Sequence, residues 1–277
     1  MRVDVVPPTS MPAPGATTDL AVVLRIEPKW HVYWRNSGDS GMPPSIQVLP
    51  PSGWTVGPIR WPQPTRFSLE GETTFGYENS VALFVPVTAP STLPASGATP
   101  VEFTVDASWM VCRTACLTGS TKRMVRLPAS PAPGTDASEL SAIVEASRSR
   151  LPKPLSALAG ASATIDRPAA GRTTLLVTGP AQGTTQLDFF PFDTPGVTYG
   201  RPELSIADGR FRVAVAIEIN PGNSLGKPLA AAGLVTLSGA AIAGSNDVPG
   251  TSGHPSGSGA AATGGSSFEF SLPVAVR

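Results

Sequence analysis

The sequence predicts an all-β chain, an antiparallel sandwich followed by a second, smaller β-sandwich domain. Three observations carry this expectation. Proline (31 residues) and glycine (28) are too dense for long helices and suit short strands joined by turns. Short β-branched or alternating segments recur along both halves, separated by Gly/Pro turn signals. At 277 residues the chain exceeds most single domains, and either half is long enough to bury its own core without covalent help.

In the first half, residues 19–27 (DLAVVLRIE) alternate partly and are β-branched, and 29–36 (KWHVYWRN) place aromatics on both faces of a second strand. Further strands are expected at 45–49, 54–60, 81–87, 101–107 and 121–127. The stretches "SGDSGMPP", "PPSG" and "APSTLPASGATP" supply the turns between them. Several short strands spaced in this way indicate an antiparallel sandwich over residues 1–128. A linker and short helix follow at 129–154. There Asp136 can cap with Glu139, Leu140, Ile143, Val144 and Leu151 share one face, and Pro152 and Pro154 end the helix. Residues 155–277 form the second β domain, with strands expected at 173–178, 185–190, 211–219, 234–238 and 268–275. The Gly/Ser-rich stretch at about 244–267 reads as a flexible insertion before the last of these.

Composition narrows the function classes. Twenty basic and 20 acidic residues balance with no basic stripe, which argues against nucleic acid as a partner. No apolar run approaches the roughly 18–20 residues that span a bilayer. The start, "MRVDVVPPTSMPAPG", shows no apolar core of a secretory signal, yet the proline-rich, lysine-poor composition favours a mature exported domain. No nucleophile elbow, Gly-rich phosphate loop or HExxH motif is present, and no cofactor is expected.

The chemistry concentrates in "WMVCRTACLTGS" (109–120), which holds the only two cysteines, Cys112 and Cys116. Strands at 107–111 and 117–127 leave Arg113, Thr114 and Ala115 as a hairpin loop, with the cysteines opposed at its base. Opposed residues lie about 4.5–5.5 Å apart at Cα, and disulfides accept about 4.4–6.8 Å, so a bond can form. A loop this short gains well under the ~3 kcal/mol given for fifteen residues. Arg113 beside Cys112 favours a thiolate, as would Lys122 and Arg123 if the hairpin folded them back. Spacing alone leaves three readings open: a structural staple or buried thiols, a two-thiolate Cu(I) site, and a redox pair. His31 and His254 are too few and too far apart in sequence to complete a zinc site, so no metal ligand is assigned.

Four stretches together resemble the N-terminal periplasmic domain of the DsbD/ScsB family of thiol:disulfide interchange proteins. They are "WHVYWRNSGDSGMPPSIQ" (30–47), "GWTVGPIRWPQPTRF" (53–67), "FGYENSVALFVPV" (75–87) and "WMVCRTACLTGS" (109–120). The resemblance covers about residues 1–128. The weaker "LDFFPFDTPGV" (187–197) is similar to the second β domain of ScsB-like members. The resemblance implies an immunoglobulin-like sandwich whose cysteine pair, here Cys112 and Cys116, cycles between disulfide and dithiol. It implies a thioredoxin-like protein or domain as electron donor and periplasmic disulfide-containing proteins as acceptors. A membrane electron-transfer domain belongs to the full-length protein, and ScsB-like members are linked to copper tolerance. By the same resemblance Cys116 is the cysteine that forms mixed disulfides. The best-known members space the pair by five residues, against three here and in ScsB-like sequences, which leaves the nucleophile open.

The family also covers its disulfide with a cap loop carrying an aromatic. "EGETTFGYEN" (70–79) stands at the matching place, which makes Phe75 and then Tyr77 the expected shields. Trp109 is expected to pack beneath the pair and Arg113 to tune it, while Trp30, Trp34, Trp54 and Trp61 are expected in packing roles. His31 is a candidate base or a structural histidine, and Asp39 and Glu72 are candidates for tuning a thiol. The leading expectation is a periplasmic thiol–disulfide relay acting as a protein-disulfide reductase component. The alternatives are a non-catalytic β-sandwich interaction module with a structural disulfide and a Cu(I)-binding copper-tolerance protein.

Overall fold

A computed structural model describes residues 1–69, 71–92, 101–127, 135–168, 171–181, 183–223, 228–239 and 265–274. The chain divides into two compact units, Met1–Leu151 and Pro152–Arg277. The first contains β1 (Arg2–Val6), β2 (Thr17–Arg25), β3 (His31–Gly38), β4 (Ser45–Leu49), β5 (Thr55–Val56), β6 (Thr65–Leu69), β7 (Glu72–Glu78), β8 (Ser80–Thr88), β9 (Val101–Cys112), β10 (Cys116–Leu127) and α1 (Thr135–Arg148). One sheet runs β1-β2-β8-β5. The other runs β10-β9-β3-β7-β6, with β4 beside β9. All these pairings are antiparallel, and the unit is an immunoglobulin-like β-sandwich.

Alternation along the strands builds the core. Leu20 and Val87 of the first sheet meet Phe103 and Leu127 of the second, and Trp54 packs edge-on to Phe103 at 5.2 Å. Strand β2 is apolar on both faces for a reason outside the sandwich. Ala21 and Val23 turn away from the inter-sheet core and pack, with Ala82 and Phe84 of β8, beneath Leu140, Ile143, Val144 and Leu151. Helix α1 therefore packs on the outer face of β2 and β8 and is part of the first unit. Ser147, buried in that contact, accepts a hydrogen bond from the Ala82 N–H (2.9 Å), and Arg148 lies over the Phe84 ring and binds Asp19 (2.8 Å).

Two expectations for this unit change. The segment 54–60 keeps only the short β5 and one bridge, Arg60 to Phe84. Pro58 inside it, with Pro62 and Pro64 close behind, removes ladder donors. The 70–79 segment, expected as a cap loop, is mostly strand β7, seated between β3 and β6.

The second unit contains β11 (Lys153–Pro154), β12 (Ser162–Asp166), β13 (Thr174–Pro180), β14 (Gln186–Pro191), β15 (Val197–Tyr199), β16 (Glu203–Ala207), β17 (Arg210–Ile219), β18 (Ala230–Ser238) and β19 (Ser266–Pro273). Its sheets run β11-β19-β18-β14 and β12-β13-β17-β15, with β16 beside β17. Leu175, Val177, Phe189, Phe211, Val213, Val235 and Phe268 fill the core between them. The Gly/Ser-rich insertion expected at about 244–267 lies outside the described residues up to 264, and Ser266 already belongs to β19.

Candidate functional site

The site begins with a β-turn. Pro28 and Lys29 occupy its central positions, and the Trp30 N–H donates to the Glu27 carbonyl at 3.0 Å. Proline suits the first central position, and the second needs positive φ, which Lys29 adopts at 70°. Strand β3 therefore starts at His31 rather than at residue 29. Its first residues set His31 against Cys112 and Val32 against Val111.

The cysteines close the β9–β10 hairpin. Cys112 and Cys116 are directly opposed, joined by a disulfide, with Cα atoms 4.1 Å apart. Within the loop the Arg113 N–H donates to the Ala115 carbonyl at 3.1 Å. Along an antiparallel ladder, pairs that exchange hydrogen bonds alternate with closer pairs that do not. The 113/115 bond and the short Cα separation both make Cys112/Cys116 a non-hydrogen-bonded pair. The two cysteines are unequally covered. Cys112 is 4% exposed, whereas Cys116 is exposed at the tip.

Opposed residues share a sheet face and neighbours along a strand alternate, so register sorts the surroundings. Cys112 shares its face with Cys116, with His31 and with Glu78, the β7 partner of His31. On that face the imidazole of His31 stacks on Phe67 (ring centroids 5.1 Å, planes 28° apart) and meets Tyr33 edge-on at 5.1 Å. Burial lowers the His31 pKa, so the ring is neutral at pH 7. Between the lowered folded value and the ordinary 6.5, the unfolded chain binds more protons, so stability rises with pH through that window and is lost as pH falls. Urea unfolding of the oxidised protein between pH 5 and pH 8 should show this rise flattening above about 6.5, and His31→Asn should remove it.

The expected shields lie elsewhere. Tyr77 shares a row with Val32 and Val111, on the opposite face from the sulfurs. It is 1% exposed, and its hydroxyl donates to the Pro62 carbonyl at 2.7 Å. Phe75, two residues back on the same face, is 5% exposed and packs edge-on to Trp34, with Arg66 over its ring. Both are core side chains, because β7 is a central strand and alternation turns them inward. Trp109 is three residues from Cys112 and so faces away from it, its indole lying across Gly119 of β10. Lys122 and Arg123 pair with Asp106 and Val105, about 20 Å along the strand from Cys116 at 3.4 Å per residue. Neither folds back on the thiols. Arg113, next to Cys112 in the chain, holds its guanidinium 5.2 Å above the Trp30 ring.

Phe67 and Tyr33 were missed by sequence reading. Their only signal was that Tyr33 follows His31 at the two-residue strand period. A loop reached from β3 fixes this corner. The Asp39 carboxylate accepts from the Thr73 N–H (2.7 Å), the Asp39 N–H donates to the Thr73 carbonyl (2.8 Å), and Ser40 donates to Glu72 (2.9 Å). Asp39 and Glu72 thus clamp the β6–β7 hairpin, which carries Phe67, instead of touching a thiol. Gly38, at φ 83°, makes the clamp feasible, since a Cβ there would fall on the Thr73 carbonyl oxygen.

Among the described residues no group of three His, Cys, Asp or Glu side chains is gathered as a metal site, and no helix is long and apolar enough to cross a membrane. No curated protein matches the chain. Among solved structures, the N-terminal periplasmic domain of ScsB from Proteus mirabilis is similar in fold. It has a TM-score of 0.57 and 16% identity, over 94% of this chain and 89% of that one. Residues 2–128 match the family described as thiol:disulfide interchange protein DsbD, N-terminal. That description fits the disulfide that the first unit carries, Cys112–Cys116. The matched residues 2–128 hold this disulfide and the sheet that presents it, so the similarity to the DsbD N-terminal family takes in the candidate site itself.

Proposed function

We propose that the chain is a periplasmic thiol–disulfide relay module, reduced by a thioredoxin-like donor and passing its electrons to disulfide-containing proteins. In its full-length setting the donor draws on a membrane electron-transfer domain. The unequal covering of the two cysteines carries the reading. A thiolate displaces the leaving sulfur along the S–S axis, from the side opposite that sulfur. For attack on Cys112 the line of approach passes the β3 side, where His31 is the neighbouring residue. For attack on Cys116 it passes the free side of β10.

The donor's first thiolate bonds to Cys116 Sγ, the bond to Cys112 breaks, and the Cys112 sulfur leaves as a thiolate that takes a proton. The donor's second thiolate then attacks its own sulfur in the mixed disulfide, and Cys116 leaves and is protonated. The module has gained two electrons and two protons, and the donor has become a disulfide. Onward transfer reverses the roles, with Cys116 attacking an acceptor disulfide and Cys112 resolving. Arg113 favours both thiolates by its charge. The His31–Phe67–Tyr33 cluster takes the shielding role that the resemblance gave to Phe75 and Tyr77. It covers the Cys112 side and leaves Cys116 open.

The test is transfer to a whole protein. Oxidised chain is mixed with excess reduced thioredoxin-like protein, and free thiols are counted by alkylation and mass. Two new thiols on this chain, with its circular dichroism unchanged, is the expected result. A disulfide that survives the excess would refute the relay.

A further inference from the structure

We infer that the free edge of β10 from Cys116 to Ser120 is a strand-docking rail for the partner, pairing main chain to main chain with the extended segment that carries the partner's attacking cysteine. The inference rests on the relay reading and adds how the partner is held. Strand β10 ends its sheet, and among the described residues no strand pairs with its outer side. The ladder phase decides which groups point outward there. In a non-hydrogen-bonded pair the N–H and C=O of each residue point away from the partner strand. Cys112/Cys116 is such a pair, so Thr118/Met110 and Ser120/Ser108, two and four residues on, are too. The N–H and C=O of Cys116, Thr118 and Ser120 therefore face outward. The ladder to β9 is made by Leu117, Gly119 and Thr121.

The rail is bounded by chemistry. Residues 116–121 (CLTGST) carry no charge, and Lys122 and Arg123 follow directly. Charged side chains on an edge discourage unlimited pairing, so they limit the dock to a short segment instead of leaving a long edge open to aggregation. Leu117 is 56% exposed on this stretch. The occupant is specified by the bond it must make. A sulfur attacking Cys116 in line comes from the β10 edge, so the chain bearing it passes alongside that edge. Addition of a strand gives affinity through main-chain bonds and accepts many sequences, which suits a module that exchanges with more than one protein.

The test separates protein from small-molecule exchange. Thr118→Pro deletes one outward N–H but none of the N–H groups bonded to β9, and edge positions of this kind tolerate proline. In the full chain, reduction by dithiothreitol should stay within about twofold of wild type. Reduction by a thioredoxin-like protein should fall about three- to tenfold, the range expected for one lost main-chain hydrogen bond. Equal effects on both reductants, or none on the protein, would overturn the rail and leave the relay standing. A wild-type chain reduced by dithiothreitol but by no thioredoxin-like protein removes the relay and the rail with it. A second measurement does not depend on the proline variant folding. In the mixed disulfide of Cys112→Ala with a thioredoxin-like protein lacking its resolving cysteine, the Thr118 amide should gain protection from hydrogen exchange. Leu117 and Gly119 should show protection before and after. An unprotected Thr118 amide in that complex refutes the proposal.

Discussion

Replacing Cys112 with Ala should yield a chain that captures a thioredoxin-like protein lacking its resolving cysteine, whereas Cys116→Ala should capture it at no more than the double-mutant background. Capture is read as a dithiothreitol-sensitive band on a non-reducing gel. With either cysteine gone there is no internal disulfide, so the test starts from the variant preloaded as a mixed disulfide with a small aromatic thiol. The two variants differ in what surrounds the remaining sulfur. Cys116 stays at an exposed tip, and Cys112 stays 4% exposed beside the His31–Phe67 stack. An incoming thiolate needs an open line to the sulfur it attacks, and burial in apolar surroundings also disfavours a thiolate. Equal capture by both variants would show that the covering of Cys112 does not control which sulfur reacts.

Gly38→Ala should lower stability by about 2 kcal/mol or more, because a side chain in left-handed backbone alone costs about 1–3 kcal/mol. The added Cβ would also collide with the Thr73 carbonyl, which accepts the Asp39 N–H. The consequence reaches the disulfide, since the clamp of Asp39 and Ser40 on Thr73 and Glu72 fixes the hairpin that bears Phe67. Released, Phe67 leaves the His31 ring, and glutathione should reduce the disulfide faster than in wild type. Urea unfolding reads the first effect and the glutathione rate the second. A destabilised variant with an unchanged rate would detach shielding from the Phe67 stack.

Legibility followed the range of the interactions. Strands β2, β8 and β9 were readable because their apolar runs and β-branched residues report burial directly, and the 45–49 segment matched β4 in both bounds. The cysteine hairpin was readable because a three-residue loop and two flanking strands fix its register locally. Strands β6 and β7 were not. Thr73, Thr74 and Gly76 break the apolar pattern of β7, and Gly76 is there because a Cβ would strike the Val32 carbonyl of the neighbouring strand. That approach is between residues far apart in sequence, so no local signal announces it. The same holds for the aromatic cluster at the site, whose members come from β3 and β6 and meet only because β7 lies between them. The aromatic residues nearest the right place in the sequence, Phe75 and Tyr77, went to the core by strand alternation.

The docking of α1 on β2 and β8 carries a practical corollary. The stretch that shares the family pattern ends at residue 128, but the greasy underside formed by Ala21, Val23, Ala82 and Phe84 is roofed by residues 140–151. A polypeptide trimmed to the shared pattern would keep its sulfurs and lose its roof, and would stick to its own copies through that bare patch. The smallest piece that keeps this patch covered therefore runs to Leu151, some twenty residues past the point where sequence kinship fades.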